Sequence, residues 1–214
     1  MLLRHRTMLV GLAASSLCSI SSVAAQSFSF GLRGTGGMPI GAFAETSNGG
    51  NDAIIRGAKS GFGYGLDMGV SLGMLGVYAG FDHIAFDCDA GSCASDATYT
   101  LQGVAVGLRV TPGIASRLRP YLKGGVTFNS LKGAYGASGS TALSTDRAPG
   151  FEVGVGGDIA LGGLVSITPQ VRYVGQNFEA KLPGVIVPAG KSDGANYLAF
   201  DLGLSISTPF GSKR

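Results

Sequence analysis

The sequence predicts an all-β fold: an antiparallel up-and-down β-barrel of eight strands that crosses a membrane, following a cleaved signal peptide. Three observations carry that expectation. Large apolar residues alternate with small or polar ones at period two; long and short connections alternate along the chain; and the composition is glycine-rich and charge-poor. The 214 residues include 37 glycines and only 14% charged residues, with a mean hydropathy of +0.30.

The alternation is clearest over residues 61–72. Phe62, Tyr64, Leu66, Met68, Val70 and Leu72 occupy the even positions, while the odd ones are Gly, Ser or Asp67. Period two places successive side chains on opposite faces of a strand. If the bulky face meets lipid, the small and charged face lines a narrow interior, which is the arrangement of a transmembrane barrel. A helix over residues 64–81 is the competing reading, but its glycines fall at period two rather than on one stripe, and Gly disfavours helix throughout.

The elements follow in order. Residues 1–25 read as a signal peptide, with Arg4 and Arg6 before an apolar stretch at 8–20 and small residues Val23, Ala24 and Ala25 before Gln26. Cys18 lies inside that leader, and Leu17 before it is too large for a lipoprotein processing site. Residues 26–214 form the barrel domain. Eight segments are expected as strands, near 27–37, 61–73, 75–87, 97–110, 119–131, 148–161, 164–177 and 195–209, each long enough to cross a bilayer with tilt. Long inserts at 38–60, 88–96, 132–147 and 178–194 alternate with tight turns near Gly73, Pro112 and Gly162. Outer-membrane barrels show this asymmetry, and an even strand number puts both termini on the periplasmic side.

Each segment places at least one charge on its small face: Arg33, Asp67, Asp82, Arg109, Lys123, Glu152 with Asp158, Arg172 and Asp201. Toward lipid, such a charge near the midplane would cost about 2–4 kcal/mol for Arg or Lys, so these groups are expected inside. An eight-stranded interior is only wide enough for side chains to fill, and charges crowded there must pair. The charges are read as a network that fills and pins the barrel, or alternatively as the lining of a polar pore. Cys88 and Cys93, in a polar exported loop, are expected to form a disulfide. It would stabilise by about 2 kcal/mol on a chain-entropy basis.

The chain resembles the small eight-stranded outer-membrane barrels of the OmpA-transmembrane-domain, OmpX and Opa type. The resemblance covers residues 26–210 and rests on the leader, the strand parity, the phrases LGVYAGFD at 75–82 and RPYLKGG at 119–125, and the final strand. There Asp201, Gly203, Ile206 and Thr208, with Phe210 close behind, are similar to the family's assembly signal. This implies recognition by the barrel-assembly machinery and contact with outer-membrane lipids and lipopolysaccharide. Two departures stand out: the chain continues past Phe210 to Arg214, and Trp is absent. The aromatic girdle must therefore come from Phe62, Tyr64, Phe81, Phe128, Phe151, Tyr173 and Phe200.

Nothing in the sequence points to catalysis. His83 is the sole histidine after the leader and faces opposite to Asp82 within one strand. There is no phosphate-binding Gly-Lys-Ser/Thr motif, no complete dinucleotide fingerprint and no expected cofactor or metal. Without Arg4 and Arg6 the 16 basic residues become 14 against 13 acidic ones, which argues against a nucleic-acid partner. The loops remain the candidates for outside contact: Ile40, Phe43, Ile54 and Ile55 either pack on the rim or meet a partner, and Arg56 and Lys59 could reach lipopolysaccharide phosphates. The expected function is a non-enzymatic, monomeric outer-membrane scaffold serving envelope integrity, adhesion or surface recognition. The alternative is a narrow porin-like channel.

Overall fold

The computed structural model describes residues 26–45, 55–88, 97–112, 117–135, 140–181 and 192–210. Ten strands occur among them: β1 (Gln26–Ile40), β2 (Ala58–Leu72), β3 (Leu75–Cys88), β4 (Thr98–Val110), β5 (Leu118–Tyr135), β6 (Ser140–Thr145), β7 (Ala148–Gly162), β8 (Val165–Lys181), β9 (Ser192–Gly194) and β10 (Asn196–Phe210). A four-residue 3-10 turn, Gly41–Ala44, is the helical element among the described residues.

Eight of these strands are staves. Each pairs antiparallel with its neighbours in the cycle β1, β2, β3, β4, β5, β7, β8, β10, and β10 closes onto β1 from Gln26↔Phe210 to Ile40↔Asn196. Closure leaves no stave with an unpaired edge, the condition for a sheet in lipid. The cross-strand partners from Gln26 run through Leu72, Leu75, Val110, Leu122, Val155, Val171 and Phe200, and return to β1 at Gly36. The sheet is thus sheared by ten residues over eight strands, which tilts the staves by about 40°.

The staves are longer at the loop end than the alternation alone predicts, because β1 reaches Ile40, β2 begins at Ala58, β5 runs to Tyr135 and β8 to Lys181. β6 and β9 lie in the segments 132–147 and 178–194, which read as loops in the sequence. β6 pairs with the top of β5 and of β8, and β9 pairs with β8 at 177–179. Ser/Ala/Gly-rich composition hides this ladder, which is held by backbone pairing and by buried Leu131, Leu143 and Phe178. At the opposite end the turns are tight. Gly73 and Gly163 adopt left-handed φ of 65° and 60°, a conformation that favours glycine.

The parity is as expected. Phe62, Leu122 and Leu202 on the outer face are 78%, 61% and 64% exposed, whereas Arg172 and Glu152 are 0% and 1% exposed inside. In water this outer band would be an apolar patch of a size that monomeric soluble proteins avoid; in hydrocarbon it is matched to its solvent. The outward aromatics Phe62, Tyr64, Phe128, Phe151 and Phe200 lie in the loop-ward half of their staves, and Tyr173 is at the middle of its own. Inward glycines make room for large partners. A Cβ on Gly125 would stand 2.6 Å from the Tyr78 hydroxyl, one on Gly156 2.6 Å from Tyr121, and one on Gly65 2.6 Å from the Arg33 guanidinium carbon. At those distances the facing side chain would have to move aside, so glycine and bulky residue fit as complementary halves.

Candidate functional site

The lumen is stacked in three layers set by the position of each inward residue along its stave. The middle layer is ionic. Arg172 on β8 lies at its centre: Nε donates to Asp201 at 2.7 Å, Nη1 to Glu152 at 2.8 Å and to Asp82 at 3.0 Å, and Nη2 to both Asp82 and Asp201 at 3.0 and 3.1 Å. Arg33 on β1 bridges Asp67 and Asp82, the latter at 2.8 Å, and lies 3.6 Å from Asp201. Lys123 faces Glu152 at 3.4 Å. Tyr78 donates to Glu152 at 2.6 Å, and Thr35 to Asp201 at 2.5 Å.

These groups come from β1, β2, β3, β5, β7, β8 and β10, so the network ties most of the cylinder across its axis. Buried charges on this scale are tolerated only when their hydrogen-bonding capacity is met. Here each carboxylate of the belt faces at least one guanidinium or ammonium. Asp67 is the most open member, its side chain 32% exposed toward the lower lumen. The structure separates Arg109 and Asp158 from the belt. They pair with each other nearer the turn end, and the Arg109 guanidinium lies 3.6 Å from the centre of the Tyr121 ring, a cation–π contact.

Above the belt the lumen is apolar, which the alternation did not disclose. Ile84, Phe86, Tyr99, Leu101, Leu131, Leu143, Val174, Phe178, Tyr197 and Ala199 form one buried cluster at the loop end. Phe43 from the 3-10 turn and Ile55 enter it from the chain that caps the mouth, both fully buried. Phe43 meets Phe86 edge-on with ring centres 5.2 Å apart, and Phe86 meets Tyr197 at 5.3 Å. The cap is fastened by Gly57 N–H donating to Glu45 O at 3.0 Å and by Tyr99 Oη donating to Arg56 O at 3.2 Å. Phe43 and Ile55 thus pack into the mouth. At the same level, one polar set is satisfied internally: Thr127 and Asn129 both donate to Gln176 Oε1, and Gln176 Nε2 donates to Ala148 O. The signal for this stopper was available in the sequence as large apolar residues continuing on the inward parity beyond Asp82, Gly103, Asn129 and Asp201.

Of the other predicted residues, His83 faces outward and stacks on Tyr64 with ring centres 5.2 Å apart. Asp201 and Gly203 face the lumen, Ile206 faces out and is half exposed, and Thr208 is exposed beside it. Only the backbone of Phe210 is described, paired with Gln26. Cys93 lies outside the described residues, and with it the expected bridge to Cys88.

A family model described as "Outer membrane protein beta-barrel domain" matches residues 10–206. No curated protein matches the sequence. Among solved structures, Neisserial surface protein A (NspA) is 15% identical with a TM-score of 0.56, covering 86% of this chain and 97% of its own. The outer membrane protein OprG from Pseudomonas aeruginosa is 14% identical with a TM-score of 0.57, covering 87% and 97%. A major outer membrane protein from Thermus thermophilus is 14% identical with a TM-score of 0.51, covering 85% and 99%. At such identities these likenesses establish the shared barrel fold.

Proposed function

The chain belongs to the outer membrane protein β-barrel domain family, and from that premise we propose that it is a non-enzymatic, closed scaffold of the bacterial outer membrane. In this reading the barrel is an anchor, and the loop end serves envelope integrity, adhesion or surface recognition. The observation that carries it is the double closure of the lumen. A solute passing through would have to part the Arg172–Asp82–Glu152–Asp201 cluster and then displace the aromatic stopper around Phe43, Phe86 and Tyr197. A hydrated ion pore needs a continuous polar path, and the stopper offers none.

Gln26 and Phe210, where the barrel wall begins and ends, lie at the tight-turn end. This reading assigns that end to the periplasm, with Asp201, Gly203, Ile206, Thr208 and Phe210 addressed by the assembly machinery. A monomer in contact with lipopolysaccharide around Arg56 and Lys59, and a Cys88–Cys93 bridge in the loop after β3, belong to the same proposal. The deciding experiment is planar-bilayer recording of refolded protein, with folding checked by heat-modifiable gel migration. A silent bilayer is expected; reproducible unitary currents would overturn the closed scaffold in favour of the porin-like channel.

A further inference from the structure

The lumen below the ionic belt is not filled. A cavity of about 120 Å³ lies at the turn end, bounded above by Tyr78 and Lys123 and reaching down to Gly73, Thr111 and Ser207. Its two walls differ. β10, β1 and β2 contribute small residues, Ser205, Ser29 and Gly69, with no bulky side chain folded against them to occupy the space. The opposite wall, from β4, β5 and β7, contributes Arg109, Arg119 and Asp158. At Gly65, Gly125 and Gly156 an arginine or tyrosine fills the gap beside the inward glycine; here small residues face charged ones and a space is left.

Most charges around that space are engaged in ion pairs. Asp67 is neutralised by Arg33, Lys123 faces Glu152, and Arg109 and Asp158 pair with each other. Arg119, on the inward parity of β5 and exposed to the cavity mouth, has no ion-pair partner among the described residues. The cavity mouth therefore carries a guanidinium able to grip two oxygens of one anion, next to Asp158 across the strand pair, and serine and threonine hydroxyls that donate or accept. It has room for several waters, and so for one small polyatomic ion, but not for a sugar chain. An eight-stranded interior can hold one small ligand where side chains leave it open.

We propose that this vestibule is a binding site for a small anion of the phosphate or carboxylate class, entering from the turn end and held by Arg119 against the hydroxyl wall. The inference rests on the closed-lumen reading, since a dead end retains a ligand where a pore passes it.

The test uses full-length barrel refolded into phosphatidylcholine nanodiscs, with arginine side-chain NMR and calorimetry read as inorganic phosphate or acetate is added. A parallel arm omits free anion and adds phosphatidylglycerol to the disc, which separates a soluble anion from a lipid headgroup as the source. The expected result is a saturable shift of the Arg119 signal in one of these arms. Affinity should weaken at least tenfold in R119Q, which changes an exposed rim residue, and equally in S205L, which fills the cavity without altering charge. No saturable shift in any arm, leaving only water in the cavity, would overturn the proposal, as would a shift that R119Q and S205L leave unchanged. Bilayer recording keeps the two readings apart: a silent barrel that binds no anion loses this site alone, whereas unitary currents remove the closed scaffold beneath it.

Discussion

The ionic belt and the apolar stopper close the same tube a few residues apart, on the same inward parity of the same staves, by opposite physics. Asp82 belongs to the belt and Ile84 and Phe86 to the stopper, all three inward on β3; on β10 the sequence Tyr197, Ala199, Asp201 makes the same change. The belt costs desolvation energy and recovers it through mutual neutralisation, so its members are worth keeping only together. The stopper gains from burial of each ring separately. The inward face of this barrel has no single chemistry. Charges sit at mid-stave, and apolar side chains collect at the loop end of the staves.

The largest effect expected from breaking this contrast is in the belt. Replacing Arg172 by Met keeps most of the volume but leaves Asp82, Glu152 and Asp201 facing one another in a buried site. Urea unfolding of the barrel in lipid should show a loss of about 4 kcal/mol, while bilayers stay silent because the stopper is intact. A loss below about 1 kcal/mol, the range of solvent-exposed pairs, would mean that water already solvates the belt.

Next comes the stopper. Phe86→Ala removes the ring that links Phe43 to Tyr197 and is expected to cost about 3 kcal/mol by the same unfolding measurement. The belt should be unaffected, read as unchanged arginine side-chain NMR signals of Arg172. If those signals move as strongly as in a belt variant, the two layers are one cooperative unit.

The smallest effect lies on the side of the belt away from the stopper. Tyr78→Phe deletes the 2.6 Å bond to Glu152 while keeping the ring over Gly107 and Gly125. A loss of about 2 kcal/mol is expected, the size of a hydrogen bond to a charged partner. No change would show that Lys123 and Arg172 alone satisfy that carboxylate.

Much of this was legible in the residue order. Alternation in 61–72 and 195–209 defined both faces, the connection lengths counted eight staves, and charges on the small face named the lumen residues. The stopper was missed because Ile84, Phe86, Leu101 and Leu131 look like ordinary strand residues until their parity is carried past the charged positions. β6 and β9 were missed because pairing through backbone groups leaves little mark on a Ser/Gly/Ala-rich segment. Partner choice was also hidden. Arg109 and Arg172 share the inward parity, yet one pairs with Asp158 near the turns and the other gathers three carboxylates at mid-lumen.

By itself the sequence determined orientation, strand number and the list of inward groups, because each depends on a two-residue period that a strand carries locally. Only the tertiary structure decided which of those groups meet. That depends on a shear of ten residues accumulated around the closed cylinder, which sets the height of every inward side chain against those across the lumen. No single stave contains that offset, so the belt, the stopper and the vestibule exist only once the eighth pairing closes the wall.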